Sequence, residues 1–156
     1  EMLVEIAIDM LKINNQIEFR IVGGGNIPDI HLPNVKFVGY VDDLRSEILK
    51  ASICLMPFPE NAVCGGARNK FCDYVALGKA VVTTTEGLRG MEVLIDKQNC
   101  LIANNVTEMA ITIQDLFENR AKIFQIEKEV FLVRNFFSWE KRTGKVESIF
   151  KRLILK

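Results

Sequence analysis

The chain has 156 residues, 49% of them hydrophobic and 26% charged, with 20 basic residues against 20 acidic ones and a single histidine. That length and apolar content describe one domain able to bury a real core, and they exclude a largely disordered chain. Zero net charge excludes the broad basic field that nucleic acid needs, and no run reaches the roughly twenty apolar residues of a membrane-spanning helix.

Taken in chain order, the pattern alternates helix and strand. Residues 2–12 read as helix, 17–22 and 35–38 as strands, 44–50 as helix and 53–56 as strand. Helix 67–77 leads into strand 80–84, and a short strand follows at 101–103. Helix 107–118, with Thr107 as its expected cap, precedes helices at 121–134 and 139–155. Such alternation predicts an α/β fold, a Rossmann-like doubly wound parallel sheet with helices on both faces. There are no repeats and no low-complexity segments.

The most informative stretch is GGARNKFCDYVALGKAVVTT, residues 65–84. Gly65 and Gly66 let the backbone approach a ligand closely, and the helix they open would present unpaired N–H groups to an anion. Arg68 and Lys70 add positive charge at that end. One turn on, the Asp73 carboxylate can accept hydrogen bonds from a ribose diol. Gly78 is placed to stop the helix, and Ala80, Val81, Val82 and Thr83 form the β-branched run of a strand covered on both faces. The sequence therefore reads as a nucleoside-diphosphate site at a helix start. The same residues taken singly fit an ordinary turn with a solvated basic face.

Cys54, Cys64, Cys72 and Cys100 lack CxxC spacing and sit mostly among apolar residues, which suggests reduced thiols in a cytoplasmic protein and makes a metal site unexpected. His31, between Pro28 and Pro33, is assigned no role. Residues 120–156 hold ten basic residues against four acidic ones. Val146, Ile149, Phe150, Leu153 and Ile154 recur there at helical spacing. Such a stripe packs on the domain or, if exposed, touches anionic lipid; the packed arrangement is the expected one.

Several segments together carry a resemblance. IVGGGN from Ile21, FVGYVDDL from Phe37, ASICLMPFP from Ala51, EGLRG from Glu86, NCLIA from Asn99 and FSW from Phe137 follow one another in order. Lys70, Asp73, Val75, Ala76, Gly78, Lys79, Val81 and Val82 follow the pattern K-x-x-E-A-M-A-x-G-K-P-V-V. The chain resembles, over nearly its whole length, the C-terminal, donor-binding domain of retaining glycosyltransferases of the GT-B fold, family 4 type. Asp73 stands where that pattern has Glu, and Gly65 stands at the first Glu of its E-x7-E form.

The resemblance implies transfer of a hexose from a nucleotide-sugar, with UDP or GDP as the nucleotide, to a hydroxyl acceptor with retention. Gly23 and Gly24 would border the cleft, and the backbone of Tyr40 and Val41 would meet the base edge. Asp43 would accept from a guanine or else cap the helix at Leu44. Gly65, Gly66 and Ala67 would offer amides to the sugar and distal phosphate, with Arg68 beside them. Lys70 would neutralise the leaving group and Asp73 would hold the ribose; Glu60 and Glu86 are weaker candidates. No cofactor and no metal is expected. The implied partners are the donor and, through an N-terminal domain, an acceptor glycan or lipid-linked glycan. Peripheral membrane contact through the helix within 136–156 and a cytoplasmic location complete that picture.

Such domains open with a central strand, whereas residues 1–156 open on a helix. A sheet of order 3-2-1-4-5-6 lacking strand one would be split in its middle. The resemblance thus implies a single donor-binding domain belonging to a longer two-domain enzyme, binding but not turning over by itself. The family's diphosphate-binding Arg and Lys would precede Glu1. A non-catalytic nucleotide-sugar-binding module is the alternative. An NAD enzyme fits less well: IVGGGN is followed by Pro28 and Pro33, which forbid the helix a dinucleotide fingerprint needs.

Overall fold

A computed structural model describes residues 2–24, 30–62 and 68–154, apart from the side chains at 142 and 145. Among these the order is α1 (Met2–Ile13), β1 (Phe19–Val22), β2 (Val35–Gly39), α2 (Leu44–Lys50) and β3 (Cys54–Met56). Then follow α3 (Asn69–Ala76), β4 (Val81–Thr83), β5 (Leu101–Ile102), α4 (Val106–Glu118), α5 (Arg120–Val133), a 3₁₀ turn at Arg134–Phe137, and α6 (Trp139–Ile154). The fold class is the expected one, parallel strands with helices around them.

The sheet comes in two pieces. β1 pairs with β2 in parallel, with a bulge between Ile21 and Val22. β3, β4 and β5 form a second parallel ladder in that spatial order, with Cys54 opposite Val81 and Val82 opposite Leu101. Val81, Val82 and Thr83 are buried on both faces, which is why that run alternates nothing and is β-branched throughout. β1 and β2 are mostly half-buried. The two pieces meet across a cavity lined by β1 on one side and β3 on the other.

Helix positions follow from periodicity and caps. Ile6, Ala7 and Met10 of α1 are fully buried and pack on α4, whose Met109, Ala110, Ile113 and Leu116 form the facing stripe. The expected cap of α4 needs correction. Asn105 caps it, its Oδ1 accepting from Glu108 N–H at 2.8 Å, because the helix starts at Val106, one residue before Thr107. In α3, Phe71 and Val75 are the buried anchors. The helix stops as foreseen at Gly78 (φ 69°): the Gly78 N–H reaches Val75 O at 3.0 Å and the Lys79 N–H reaches Tyr74 O at 3.0 Å.

The C-terminal helix departs from expectation. α6 packs on the 3₁₀ turn, and its apolar stripe faces outward, with Trp139 80% and Phe150 59% exposed. No helix among the described residues is long and apolar enough to cross a membrane.

Gly87 shows how closely the β4 exit is packed. A Cβ there would fall on Thr83 Oγ1 and lie 2.9 Å from Met56 O, whereas one at Gly24 would meet nothing within 4 Å. Gly87→Ala is expected to cost about 1–3 kcal/mol in urea denaturation, and Gly24→Ala to stay within about 0.5 kcal/mol of the parent.

Candidate functional site

The carboxyl ends of β3, β4 and β5 are pinned by short polar side chains. Thr83 Oγ1 donates to Met56 O at 3.2 Å, and Thr84 Oγ1 donates to Phe58 O at 2.6 Å while accepting from Gly87 N–H at 3.0 Å. Asn104 Oδ1 accepts from Thr85 N–H at 2.8 Å. The three strand exits are therefore hydrogen-bonded to one another.

Arg68 ties the start of α3 to these exits. Its guanidinium lies 4.3 Å over the Phe58 ring and donates through Nη2 to Glu86 Oε1 at 3.0 Å. Arg89 holds the other carboxylate oxygen at 2.6 Å. The Arg68 and Glu86 side chains are 4% and 8% exposed, so this is a buried charge pair, while Arg89 is solvated. The sequence reading gave Arg68 to a diphosphate. In the structure its charge is committed to Glu86, a partner 18 residues away that no local pattern reveals.

From that anchor α3 turns Lys70, Asp73 and Tyr74 toward a cavity of about 660 Å³. Lys70 and Asp73 are exposed, and neither side chain forms a hydrogen bond or ion pair with a described residue. Leu55, Met56, Pro57 and Phe58 of the β3 exit line the same cavity, and β1 lines its opposite wall. In chain order the sheet reverses here: β1 leads outward to β2 and β3 leads the other way to β4. Open α/β sheets bind ligands outside the strand carboxyl ends at that reversal.

The remaining sequence-predicted positions distribute around the same end. Gly23 and Gly24 follow β1; Gly23 donates to Gly39 O at 2.9 Å, and the space beside both glycines is open. Tyr40, 79% exposed, and Val41 follow β2. Asp43 caps α2: Oδ1 accepts from Ser46 N–H at 3.1 Å and Oδ2 from Ser46 Oγ at 2.5 Å. Hydrogen bonds from the Ser46 side chain and backbone hold its carboxyl below the usual range. Of its two sequence readings, the cap is the one observed. Gly65, Gly66 and Ala67 lie outside the described residues. Thr83, Thr84 and Tyr74 also stand at this end, and the consecutive threonines of VVTTTEG are the sequence signal for the first two.

Among the described residues no group of three or more His, Cys, Asp or Glu could hold a metal ion. The thiols at Cys54 and Cys100 are free and buried, and burial pushes each up to about 12. Tyr74 is likewise raised to about 12, mainly by burial and secondarily by Cys54 and Asp73.

Together the fold and this end of the sheet define a parallel α/β domain with a cavity at the chain reversal. Residues 1–119 match the family model described as glycosyl transferases group 1, and the chain belongs to that family. Fifteen chains of solved structure match significantly, whereas comparison with curated proteins gave no significant match. One of the solved structures is HepE of Anabaena, determined in complex with UDP and glucose. It superposes with a TM-score of 0.73 at 17% identity, over 94% of this chain and 44% of that one. The chain thus spans less than half the length of that structure.

Two outcomes follow. Glu86→Ala leaves the Arg68 charge buried without its carboxylate and is expected to lose about 3–5 kcal/mol in urea denaturation, against less than about 1 kcal/mol for Arg89→Ala. The folded chain also keeps thiol protons to about pH 12 that an unfolded chain releases near 9. Their contribution is complete below pH 9 and declines as pH rises toward 12, so the thermal midpoint should fall across that window in circular dichroism scans.

Proposed function

We propose that this chain is the donor-binding domain of a retaining glycosyltransferase that moves a hexose from a nucleoside diphosphate to a hydroxyl acceptor. The observation that carries the reading is that Lys70 and Asp73, charged, exposed and one helical turn apart, line the reversal cavity with neither side chain bonded to a described residue. Membership of the family supports it.

In this reading Asp73 accepts from the ribose diol and Lys70 neutralises charge on the departing diphosphate, which lowers the barrier to its departure. Arg68 acts one step back, fixing where α3 begins. Gly65, Gly66 and Ala67 supply backbone amides to the sugar and distal phosphate. Gly23 and Gly24 leave room at the cleft, and the Tyr40 and Val41 backbone meets the base. Uridine is favoured over guanine, because Ser46 already engages both Asp43 oxygens and because HepE binds UDP. The reaction needs no protein nucleophile and no obligatory metal. The acceptor, an oligosaccharide or lipid-linked glycan, binds to a further domain of a longer polypeptide, and the enzyme works in the cytoplasm.

Titration calorimetry with UDP, GDP, ADP and NAD, with magnesium and with EDTA, tests this directly. UDP should bind in either condition, and Asp73→Ala should weaken it about tenfold, the worth of one charge-assisted hydrogen bond, without moving the thermal midpoint. Preference for NAD, or unchanged UDP affinity in Asp73→Ala, would refute the assignment.

A further inference from the structure

Glu86 is met by more positive charge than it needs. Its two carboxylate oxygens are held by two arginines, Arg68 on Oε1 at 3.0 Å and Arg89 on Oε2 at 2.6 Å. Arg68, the buried one, matches the acid by itself, so two cations against one anion leave a surplus positive charge. That surplus resides on Arg89, whose side chain is 75% exposed. Its Nη2 faces Glu86, and its Nε and Nη1 donors bond to no described residue. A surface ion pair contributes little stability, because ordering a long side chain offsets the attraction. Here the carboxylate is itself buried, and it holds the guanidinium in one orientation.

The backbone under Arg89 is equally well fixed. The Leu88 N–H bonds to Thr84 O at 3.1 Å, the Arg89 N–H to Glu86 O at 3.2 Å and the Met91 N–H to Leu88 O at 2.9 Å. Met91 is buried and Gly87 has no room for a Cβ, so this turn is packed as well as hydrogen-bonded. Arg89 is thus a positive group mounted on the β4 exit and joined through Glu86 to the residue that starts α3.

We infer that Arg89 is a further diphosphate-binding residue of the donor site, donating to the distal phosphoryl group through the N–H groups that Glu86 leaves open. The inference rests on the nucleotide-sugar reading, in which that group lies against Gly65, Gly66 and Ala67, the residues immediately before Arg68. Each phosphoryl group of a nucleotide-sugar carries a negative charge. Lys70 answers one of them, and Arg68 answers neither, because Glu86 takes its charge. Arg89 supplies the second cation, and its planar fork of donors matches phosphoryl oxygens better than a single ammonium does. Glu86 orients that fork in advance, so less rotamer freedom is lost on binding. As the diphosphate departs, charge builds up on the distal group, where Arg89 stabilises it.

Titration calorimetry with UDP and with UMP, on the parent chain, Arg89→Ala, Arg89→Lys and Asp73→Ala, tests the assignment. Arg89→Ala should weaken UDP about tenfold, the worth of one charge-assisted contact, and UMP by less than about twofold, since UMP lacks the distal group. Arg89→Lys should recover part of the loss, because it returns the charge without the fork. Unchanged UDP affinity in Arg89→Ala, or equal losses for UDP and UMP, would overturn the inference. Where Asp73→Ala weakens UDP and Arg89→Ala does not, Arg89 alone is excluded and the nucleotide reading stands. A parent chain that binds no UDP contradicts both.

Discussion

The buried pair between Arg68 and Glu86 is the interaction on which the arrangement of this molecule depends. It lies where three pieces of chain converge: the β3 exit through the Phe58 ring, the start of α3, and the β4 exit at Glu86. An ion pair so deeply desolvated contributes little net stability over an apolar replacement, yet removing one partner is costly. Its effect is geometric. It fixes the point from which α3 departs, and that point decides where Lys70 and Asp73 stand.

The threonine hydroxyls of the VVTTT run extend the same logic. They satisfy carbonyls at the β3 exit that the ladder leaves open, and so lock β3 and β4 in register just where the ligand mouth begins. Strand exits cross-bonded in this way, with exposed Lys70 and Asp73 beside them, suit the proposed diphosphate site, since little ordering would remain to be done on binding. The opposite wall is less constrained. β1 and β2 are mostly half-buried and meet the rest of the sheet across a cavity, so half of the proposed cleft is built on the less supported piece.

Much of this was legible in the sequence because it is local. Strand β4 announced itself through consecutive β-branched residues, and Gly78 through its place after an apolar helix. What was not legible depends on distance along the chain. Arg68 looks like a ligand cation until Glu86 and Phe58 are folded against it. Asp43 has two chemically sound roles, and only the position of Ser46 at the first turn of α2 separates them. Thr107 and Asn105 are both capable caps, and the helix start, set by burial of Met109 and Ala110, selects Asn105. The outward stripe of α6 defied the expectation that apolar helical spacing means packing, because periodicity defines a face without saying what covers it.

Mapping amide shifts of the nitrogen-15-labelled chain during a UDP titration tests the central claim most directly, namely that the strand carboxyl ends at the chain reversal form one nucleotide site. The account predicts saturable shifts clustered at Gly23, Gly24, Tyr40, Val41, Lys70 and Asp73, with α5 and α6 unmoved. Shifts confined to other faces of the domain, or none at saturating UDP, would contradict it.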